Sequence, residues 1–401
     1  MTRNVALTFA VRLFRLALGL AASILTARTL GPSGRGDYYF VVTFAGLLVQ
    51  FGNLGLASSN TYLVARDRPL LRGLVANSLW VSLAAGGAGA VIAAILILLN
   101  VFPTVSGVLL LLGVALAPPS MFYLLGTNLL VGVGRIAAFN LVEGMANLVV
   151  LLLIAVAAAF SLGIAGFLAA GLIGWVLAAG AVLIALAPGP RGSLAFDQAA
   201  FAAGFRYAAK AFLITLLGYL VLRGNVFLLQ AAAGPAEVGY YSIAAQIADV
   251  LVIFPSSVGV VLFPDLVRNA TRRWRSMLGS LTVVTAIVGA ACVVAALVAA
   301  PFVAALYGRA FAPAVPVLLV MLPGVVFVSA TTIVSQFLGA VGLPRLLIAV
   351  WAAALVVLVT LNVILAPVLG APGAAAGLSA TYFILFVMVC ALAWRHRNVA
   401  T

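Results

Sequence analysis

Few side chains in this sequence can carry charge-based chemistry, and most of those that can are arginines. The 401 residues include 21 Lys plus Arg, 7 Asp plus Glu and a single histidine, His396, near the C-terminus. This excludes histidine-based metal sites and Ser-His or Cys-His catalysis. Cys292 and Cys390 lie in apolar segments and have no metal-ligand spacing. We expect no metal and no cofactor. The chemistry that remains is anion binding, because guanidinium groups bind phosphates through paired hydrogen bonds.

Arg223 and Asp249 are charged residues in the middle of long apolar segments. A charge at the bilayer centre costs about 2.5 to 3.5 kcal/mol on insertion scales, so it faces a partner or an internal cavity. Both residues lie 13 positions from residue 236, in the turn between two predicted helices, and can pair across this hairpin. Two interpretations stay open. The pair is a structural bridge, or Arg223 binds an anionic headgroup while Asp249 controls its availability or takes a proton.

Four further arginines are candidates for binding an anionic substrate. Arg12 and Arg15 are three residues apart and share one face of the first predicted helix. They either snorkel to the cytoplasmic headgroups or line a cationic cavity. Arg28 and Arg35 flank a glycine-rich turn at the predicted outer rim. There they either stabilise the turn or guide a headgroup on release.

The supply of acidic side chains inside the apolar segments is small. Glu143 and Asp249 are the only carboxylates well inside predicted spans. Glu143 lies five residues into a predicted helix, where it snorkels, pairs with Arg135 or takes part in coupling. Drug and cation antiporters would favour acidic cavities, so this distribution favours an anionic substrate.

The elements that position these residues are predicted to be transmembrane helices. A content of 66% hydrophobic and 7% charged residues excludes a water-soluble globule. With about 30 to 35 residues per span and connection, the chain accommodates about twelve spans. The sequence therefore predicts an all-α polytopic membrane protein. Its helices are expected at roughly 5–29, 38–63, 74–100, 107–131, 138–160, 164–187, 211–231, 239–264, 277–300, 314–337, 346–366 and 374–394.

The basic residues are distributed asymmetrically between the two sides of these spans. With the N-terminus in the cytoplasm, 17 of the 21 Lys and Arg residues lie on the cytoplasmic side, 3 on the outer side, and Arg223 within a span. This asymmetry follows the positive-inside rule and predicts that both termini are cytoplasmic. The net charge of +14 is therefore interpreted as a signal of topology, and no nucleic acid partner is expected.

Short motifs recur at about half the chain length. GPxxxGxY occurs at 31–38 and again at 234–241, an offset of 203 residues. LGxxG occurs at 162–166 and again at 369–373, an offset of 207. A weaker pair, at an offset of 210, relates Gly132 and Arg135 to Gly342 and Arg345.

These repeats predict a duplicated architecture. Because six spans separate the copies, the halves enter the membrane in the same orientation and form two parallel six-helix bundles with the substrate between them. The predicted lobes are 1–187 and 211–401. The cytoplasmic linker between them, 188–210, is interpreted either as a surface hinge or as a plain connection.

Several segments resemble the oligosaccharide flippase family, the polysaccharide biosynthesis transporters of the Wzx type. These are ARTLGPSGRGDYYF at 27–40, the segment 222–255, LYGRAFAPAVPVL at 306–318, and VGLPR at 341–345 with LGAPGAAAG at 369–377. The family lies in the MOP (multidrug/oligosaccharidyl-lipid/polysaccharide) exporter superfamily, which also holds multidrug/cation antiporters and lipid II flippases. The resemblance spans nearly the whole chain and implies a V-shaped, MATE-like bundle.

The resemblance also implies a function and a location. It implies a flippase of the bacterial cytoplasmic membrane that moves undecaprenyl-pyrophosphate-linked repeat units by alternating access, for O-antigen, capsule or exopolysaccharide synthesis. The partners are then this lipid-linked glycan, membrane lipids and other polysaccharide assembly proteins. In many relatives the position of Asn225 holds an aspartate, so the asparagine speaks against cation coupling there, and gating is the role still predicted for Asn225.

Two alternative functions stay open. One is a multidrug/cation antiporter of the same superfamily. The other is a membrane-embedded glycan polymerase or glycosyltransferase. Such an enzyme needs a folded extramembrane loop or a constellation of carboxylates and metal at the interface, and the sequence shows neither. We therefore expect a transporter and not an enzyme.

Overall fold

The computed structural model describes residues 2–186 and 195–397, without the side chains of residues 2–10, 12, 13 and 210. Within these ranges every regular element is helical, as predicted. The first half contains α1 (Thr2–Gly52), α2 (Leu56–Arg66), α3 (Leu71–Leu98), α4 (Gly107–Gly132), α5 (Ile136–Ala159) and α6 (Gly163–Leu186). The second contains α7 (Gln198–Ala233), α8 (Pro235–Arg268), α9 (Arg273–Tyr307), α10 (Ala314–Ala340) and α11 (Leu346–Arg395). Short 3-10 turns, Arg68–Leu70 and Arg309–Phe311, precede α3 and α10.

The predicted count of twelve spans agrees with these helices once two long ones are divided at their breaks. In the described ranges, nine helices are long and apolar enough to cross a membrane, and Phe14–Gly52 with Leu56–Arg66 forms a tenth candidate, bent by 46°. The 51-residue α1 and the 50-residue α11 each contain one non-helical residue, Gly31 and Gly370. Each arm of both helices has about the 20 residues that a span requires.

The repeated motifs have repeated backbone conformations. Gly31 has φ 66° and ψ −178°, and its counterpart Gly234 has φ 84° and ψ −179°. Gly163 and Gly370 have φ 63° and 62°. This region of φ is accessible to glycine at little cost, so the motifs mark where helices must break. The sequence duplication is therefore also a duplication of structure.

In the third repeat, the glycines with matching backbone conformations are not the two that the sequence offset pairs. Gly342 has φ 95°, and the first-half glycine with a similar conformation is Gly134, at φ 79°. Gly132, which the sequence offset pairs with Gly342, is the last residue of α4. A Cβ at Gly132 would meet Val64, so this glycine allows close helix packing. The arginines of the repeat agree with the prediction, because Arg135 and Arg345 are the N-cap residues of α5 and α11.

Within each half, the two glycine motifs pack against each other. In the second half, the Glu237 carboxylate accepts a hydrogen bond of 2.6 Å from the backbone N–H of Ala371, just after the Gly370 break. In the first half, the ring centroids of Tyr38 and Phe167 are 6.3 Å apart. The junction thus has the same place in both halves, but a polar contact holds one and an aromatic contact the other.

Contacts divide the chain into two compact units, residues 1–216 and 217–401. In unit 1, α4 is the central helix and contacts α1, α2, α3, α5 and α6. In unit 2, α10 has this role and contacts α8, α9 and α11. Both central helices contribute large, fully buried side chains to the cores of their units, including Met121, Leu125 and Leu129 on α4 and Phe337 on α10.

The predicted linker is partly helical. Residues 188–194 lie outside the described ranges, but 198–210 form the first turns of α7. Asp197 begins this helix by accepting a hydrogen bond from the N–H of Ala200 at 2.9 Å. Asn77 of α3 exchanges two hydrogen bonds of 2.8 Å with the backbone of Asp197. The rings of Tyr62 and Tyr207 stack at 4.3 Å. The start of α7 therefore packs against unit 1 and belongs to it.

Candidate functional site

Arg223 and Asp249 form an ion pair between α7 and α8, as the hairpin geometry predicted. Nη2 of Arg223 lies 2.5 Å from Oδ2 of Asp249. The exposed fractions of the two side chains are 19% and 43%, so the carboxylate is the more accessible partner. The turn at Gly234 reverses the chain and brings the two positions to the same depth. The structure thus contains the ion pair that the sequence predicted.

Asn225 lies two residues beyond Arg223 and is fully buried. Its amide Nδ2 donates a hydrogen bond of 2.6 Å to the hydroxyl of Tyr241 on α8, and both residues are at most 1% exposed. The uncharged amide therefore crosslinks the two helices within unit 2. This hydrogen bond gives the buried amide nitrogen a partner inside unit 2. A gating role for Asn225 stays a prediction.

Arg15 of α1 forms an ion pair with Glu143 of α5. Nη1 of Arg15 contacts Oε1 of Glu143, and the exposed fractions of the side chains are 43% and 11%. The alternative partner predicted for Glu143, Arg135, instead donates a hydrogen bond of 2.6 Å to the carbonyl of Ala185. Glu143 and Arg135 are eight positions apart, about two helical turns. Arg135 therefore binds the end of α6, and Arg15 is the arginine that pairs with Glu143.

Tyr123, which the sequence did not single out, lies beside this pair, and Trp175 packs against Tyr123. Tyr123 of α4 interacts electrostatically with both Glu143 and Arg15. Its ring lies 5.2 Å from that of Trp175 on α6. A tyrosine hydroxyl in an apolar helix was the only available signal, and Tyr123 does not differ in this respect from the other tyrosines in predicted spans. The site in unit 1 therefore draws on four helices.

Arg35 lies inside unit 1, where its contacts fit the turn-stabilising interpretation. The residue is 3% exposed. Its guanidinium donates to the hydroxyls of Thr26 at 2.5 Å and Ser23 at 3.1 Å, and it lies 5.7 Å and 5.8 Å from the rings of Tyr38 and Tyr39. These contacts join the two arms of α1 across its break. Arg35 is consequently not a residue of the substrate site that we propose.

Arg28 and Arg12 are the remaining predicted arginines. Arg28 is exposed on the first arm of α1, on the opposite side of the Gly31 break from Arg35. The side chain of Arg12 lies outside the described part of the structure, so its place in a cavity stays a prediction. The structure thus brings two predicted arginines, Arg15 and Arg223, to carboxylates within apolar helices. Among the described residues, no group of three or more His, Cys, Asp or Glu could hold a metal ion.

The comparison with known families identifies the chain. The family model described as "Polysaccharide biosynthesis protein" matches residues 1–270. The chain belongs to this family. The membership confirms the resemblance that the glycine motifs carried. None of the curated proteins is similar enough in sequence to count as a match.

Solved structures with the same fold include a flippase and transporters. The lipid II flippase MurJ in an inward closed conformation has a TM-score of 0.80 at 14% identity, covering 96% of this chain and 87% of that chain. An inward-facing multidrug resistance MATE family transporter of the MOP superfamily has a TM-score of 0.76 at 16% identity, covering 96% and 94%. These similarities confirm the predicted MATE/MOP-like fold. Family and fold together support a flippase or transporter of this superfamily.

The Arg15–Glu143 pair can be tested by its effect on stability. We expect Arg15→Gln and Glu143→Gln each to lower the stability of the purified protein. The double substitution should cost less than the sum, with a coupling of about 1 kcal/mol, because each single change leaves one charge without its partner. Thermal unfolding of the four proteins in one detergent measures this coupling. Additive effects would show that the two side chains do not interact.

Proposed function

We propose that this protein is a flippase that moves polyprenyl-pyrophosphate-linked oligosaccharide repeat units across the bacterial cytoplasmic membrane by alternating access. The observation that carries the proposal is that arginines inside the apolar helices are paired with carboxylates. Arg15 in unit 1 and Arg223 in unit 2 each form an ion pair with a carboxylate. Membership of a polysaccharide biosynthesis family supports a glycan as the cargo.

The ion pairs explain how arginines are retained in apolar helices without substrate. A charged side chain in a span needs a partner, and removing one partner of such a pair is costly. Each of the two ion pairs uses one guanidinium nitrogen, Nη1 of Arg15 or Nη2 of Arg223. A guanidinium carries five N–H donors in a planar fork, a geometry that binds phosphate oxygens through paired hydrogen bonds.

Binding of the diphosphate then becomes an exchange of counter-ions. The pyrophosphate takes the place of Asp249 or Glu143 on the arginine, and the released carboxylate is free to take a proton. Such an exchange lowers the barrier for the phosphates in two ways. The cation is already in place, and it does not have to be brought out of water together with the substrate. Asp249 and Glu143 are thereby assigned the coupling role, and Asn225 is not.

The same charges favour this substrate over that of a cation antiporter. Both carboxylates that were predicted deep inside spans contact arginines, whereas binding of a cationic drug requires an acidic group available to the drug. For a polymerase or glycosyltransferase, the similarity to a flippase and to transporters points away from catalysis.

The proposed topology follows from the distribution of basic residues. Both termini are cytoplasmic, with 17 Lys and Arg residues on that side and 3 outside. The two lobes of the transporter are residues 1–187 and 211–401, joined by the cytoplasmic linker 188–210, and they correspond to units 1 and 2 except at residues 211–216, which pack with unit 1. The common helix breaks at Gly31 and Gly234 and at Gly163 and Gly370 support this division.

Reconstitution tests the proposed function. Proteoliposomes containing the purified protein and a fluorescent polyprenyl-pyrophosphate oligosaccharide are exposed to a glycosidase that reaches only outer-leaflet glycan. We expect the protein to raise the cleavable fraction from about half toward completion, because inner-leaflet lipid becomes accessible as it is flipped. The matched control is a polyprenol-linked glycan without phosphate. Equal flipping of both lipids would contradict the role of the arginines, and resistance of overexpressing cells to cationic dyes would favour the antiporter.

A further inference from the structure

The basic residues at one end of unit 2 form a cluster that the proposed transport cycle does not use. It comprises the connection between α8 and α9 and the end of α11. Only one carboxylate, Asp265, is near the start of this segment, and it accepts a hydrogen bond from Asn269 at 2.6 Å. We call the following residues the basic cluster: Arg268, Arg272, Arg273, Arg275, Arg395 and Arg397, together with Trp274 and Trp394.

Aromatic contacts bring the two parts of the basic cluster together. The rings of Trp274 and Trp394 are 5.9 Å apart at an interplanar angle of 71°. Trp274 also contacts Phe337 of α10 at 5.3 Å, and the guanidinium of Arg397 lies 3.6 Å above the ring of Trp394. The ends of α8 and α11 are more than 120 residues apart in sequence, yet the contact between Trp274 and Trp394 brings their basic segments to the same end of unit 2.

Arg273 gives the basic cluster a buried donor that still requires an acceptor. The residue is 4% exposed, and its Nε donates to the carbonyl of Leu266 at 2.7 Å. Its Nη1 is buried and has no hydrogen-bond partner among the described residues. A buried donor without an acceptor is unfavourable. An anion bound beside Arg273, after a small movement of the surface side chains, would satisfy this donor.

The start of α9 adds to this preference for an anion. No side chain caps the helix, whose N-cap residue is Arg272. The first N–H groups of a helix lack intrahelical acceptors and carry partial positive charge, which makes them an anion-binding end. Here that end lies among arginines that are exposed, Arg268, Arg272 and Arg275.

The surroundings of the basic cluster indicate that the anion belongs to a lipid. Val267 and Leu278, on either side of the α8–α9 connection, are 49% and 41% exposed, and Trp394 is 57% exposed. Apolar side chains beside tryptophan and arginine are typical of the level where headgroups meet acyl chains. A soluble anion would gain nothing from this apolar border.

We propose that the basic cluster binds the phosphate headgroup of an anionic membrane phospholipid. Arg272 and Arg275 contact the phosphate from the surface, Arg273 donates from below, and Trp274 and Trp394 lie against the glycerol and upper acyl region. The site anchors the end of unit 2 that is predicted to be cytoplasmic, where anionic lipids attract basic segments. This inference does not depend on the glycan substrate, because it concerns a bulk lipid.

Native mass spectrometry of the full chain tests the site. The delipidated protein is titrated with phosphatidylglycerol, and the affinity of the tightest bound lipid is compared between the wild type and R272Q/R275Q. We expect this affinity to fall about 25-fold, since each basic residue near a membrane surface contributes about fivefold. Arg272 and Arg275 are exposed, so their replacement by glutamine leaves the packing of unit 2 intact.

The matched control is R66Q/R68Q, which removes two exposed arginines from the same predicted side of unit 1. We expect this control to leave the affinity of the tightest bound phosphatidylglycerol unchanged. The proposal is overturned if R272Q/R275Q binds its tightest phosphatidylglycerol with the affinity of the wild type. It is also overturned if phosphatidylcholine binds as tightly as phosphatidylglycerol. Competition by millimolar inorganic phosphate or pyrophosphate also overturns it, because the site would then take a soluble anion.

Discussion

Replacement of Arg223 by alanine is expected to abolish export of the cognate glycan, and replacement by lysine to restore part of it. In our proposal Arg223 is the cation that exchanges Asp249 for the pyrophosphate. Loss of the charge-assisted hydrogen bonds to the pyrophosphate costs about 1.5 to 3 kcal/mol, which corresponds to about a 10- to 150-fold loss. Lysine keeps the charge but not the planar fork that binds two oxygens at once. Flipping in proteoliposomes and surface glycan in cells measure the effect.

Two controls separate a loss of substrate binding from a loss of structure. Arg206 lies on the same helix and is exposed, so R206A should export normally. D249N keeps Arg223 and removes the competing charge, and we expect it to bind pyrophosphate-linked glycan at least as tightly as the wild type while turning over more slowly. Normal export by correctly inserted R223A would rule out the exchange of counter-ions at Arg223.

Gly370→Ala is expected to destabilise the protein more than the same substitution at Gly163 or Gly289. Gly370 has φ 62° and ψ −139°, a conformation that costs other residues about 1 to 3 kcal/mol. A Cβ at this position would also lie 2.5 Å from Oε2 of Glu237, the atom that accepts the hydrogen bond from Ala371. Strain and loss of this contact together should lower the stability by about 2 to 4 kcal/mol.

A series of glycine variants separates the two causes. Gly163 has φ 63° but nothing within 4 Å of the added Cβ, so G163A should show the backbone strain alone. Gly289, within α9, also has nothing within 4 Å and no positive φ, and G289A should be neutral or slightly stabilising. In thermal unfolding in detergent, we therefore expect the midpoint temperature of G370A to be lower than that of G163A, and that of G163A to be lower than that of G289A. Equal midpoints for G370A and G289A would contradict the structural role of this break.

The duplicated junction shows how one motif supports different contacts. Glu237 occupies in unit 2 the position that Gly34 occupies in unit 1, at the same offset of 203 residues as the surrounding motif. In unit 2 its carboxylate caps the backbone after the second break. In unit 1 the glycine leaves room for Ile164, which would lie 3.7 Å from a Cβ at Gly34. The motif therefore keeps the same backbone turn in both copies, and each copy closes its junction differently.

The sequence predicted the fold class, the family and the helix breaks, because these depend on local or additive properties. Hydrophobicity summed over about 20 residues indicates a span whatever the span packs against. A glycine with positive φ acts at its own position, so GPxxxGxY and LGxxG marked the breaks at Gly31, Gly234, Gly163 and Gly370. The Arg223–Asp249 pair was also predictable, since a single turn connects its two helices and fixes their register.

Partners that are distant in sequence were decided only by the tertiary structure. Glu143 pairs with Arg15, 128 residues away, and not with Arg135, because α5 packs against α1 while Arg135 reaches the end of α6. Arg35 is buried because the bend at Gly31 turns it toward Thr26 and Ser23. Similarly, Trp274 meets Trp394 only through the packing of α10 and α11. The charge and hydropathy of a residue indicate what kind of partner it requires, whereas helix packing determines which residue is that partner.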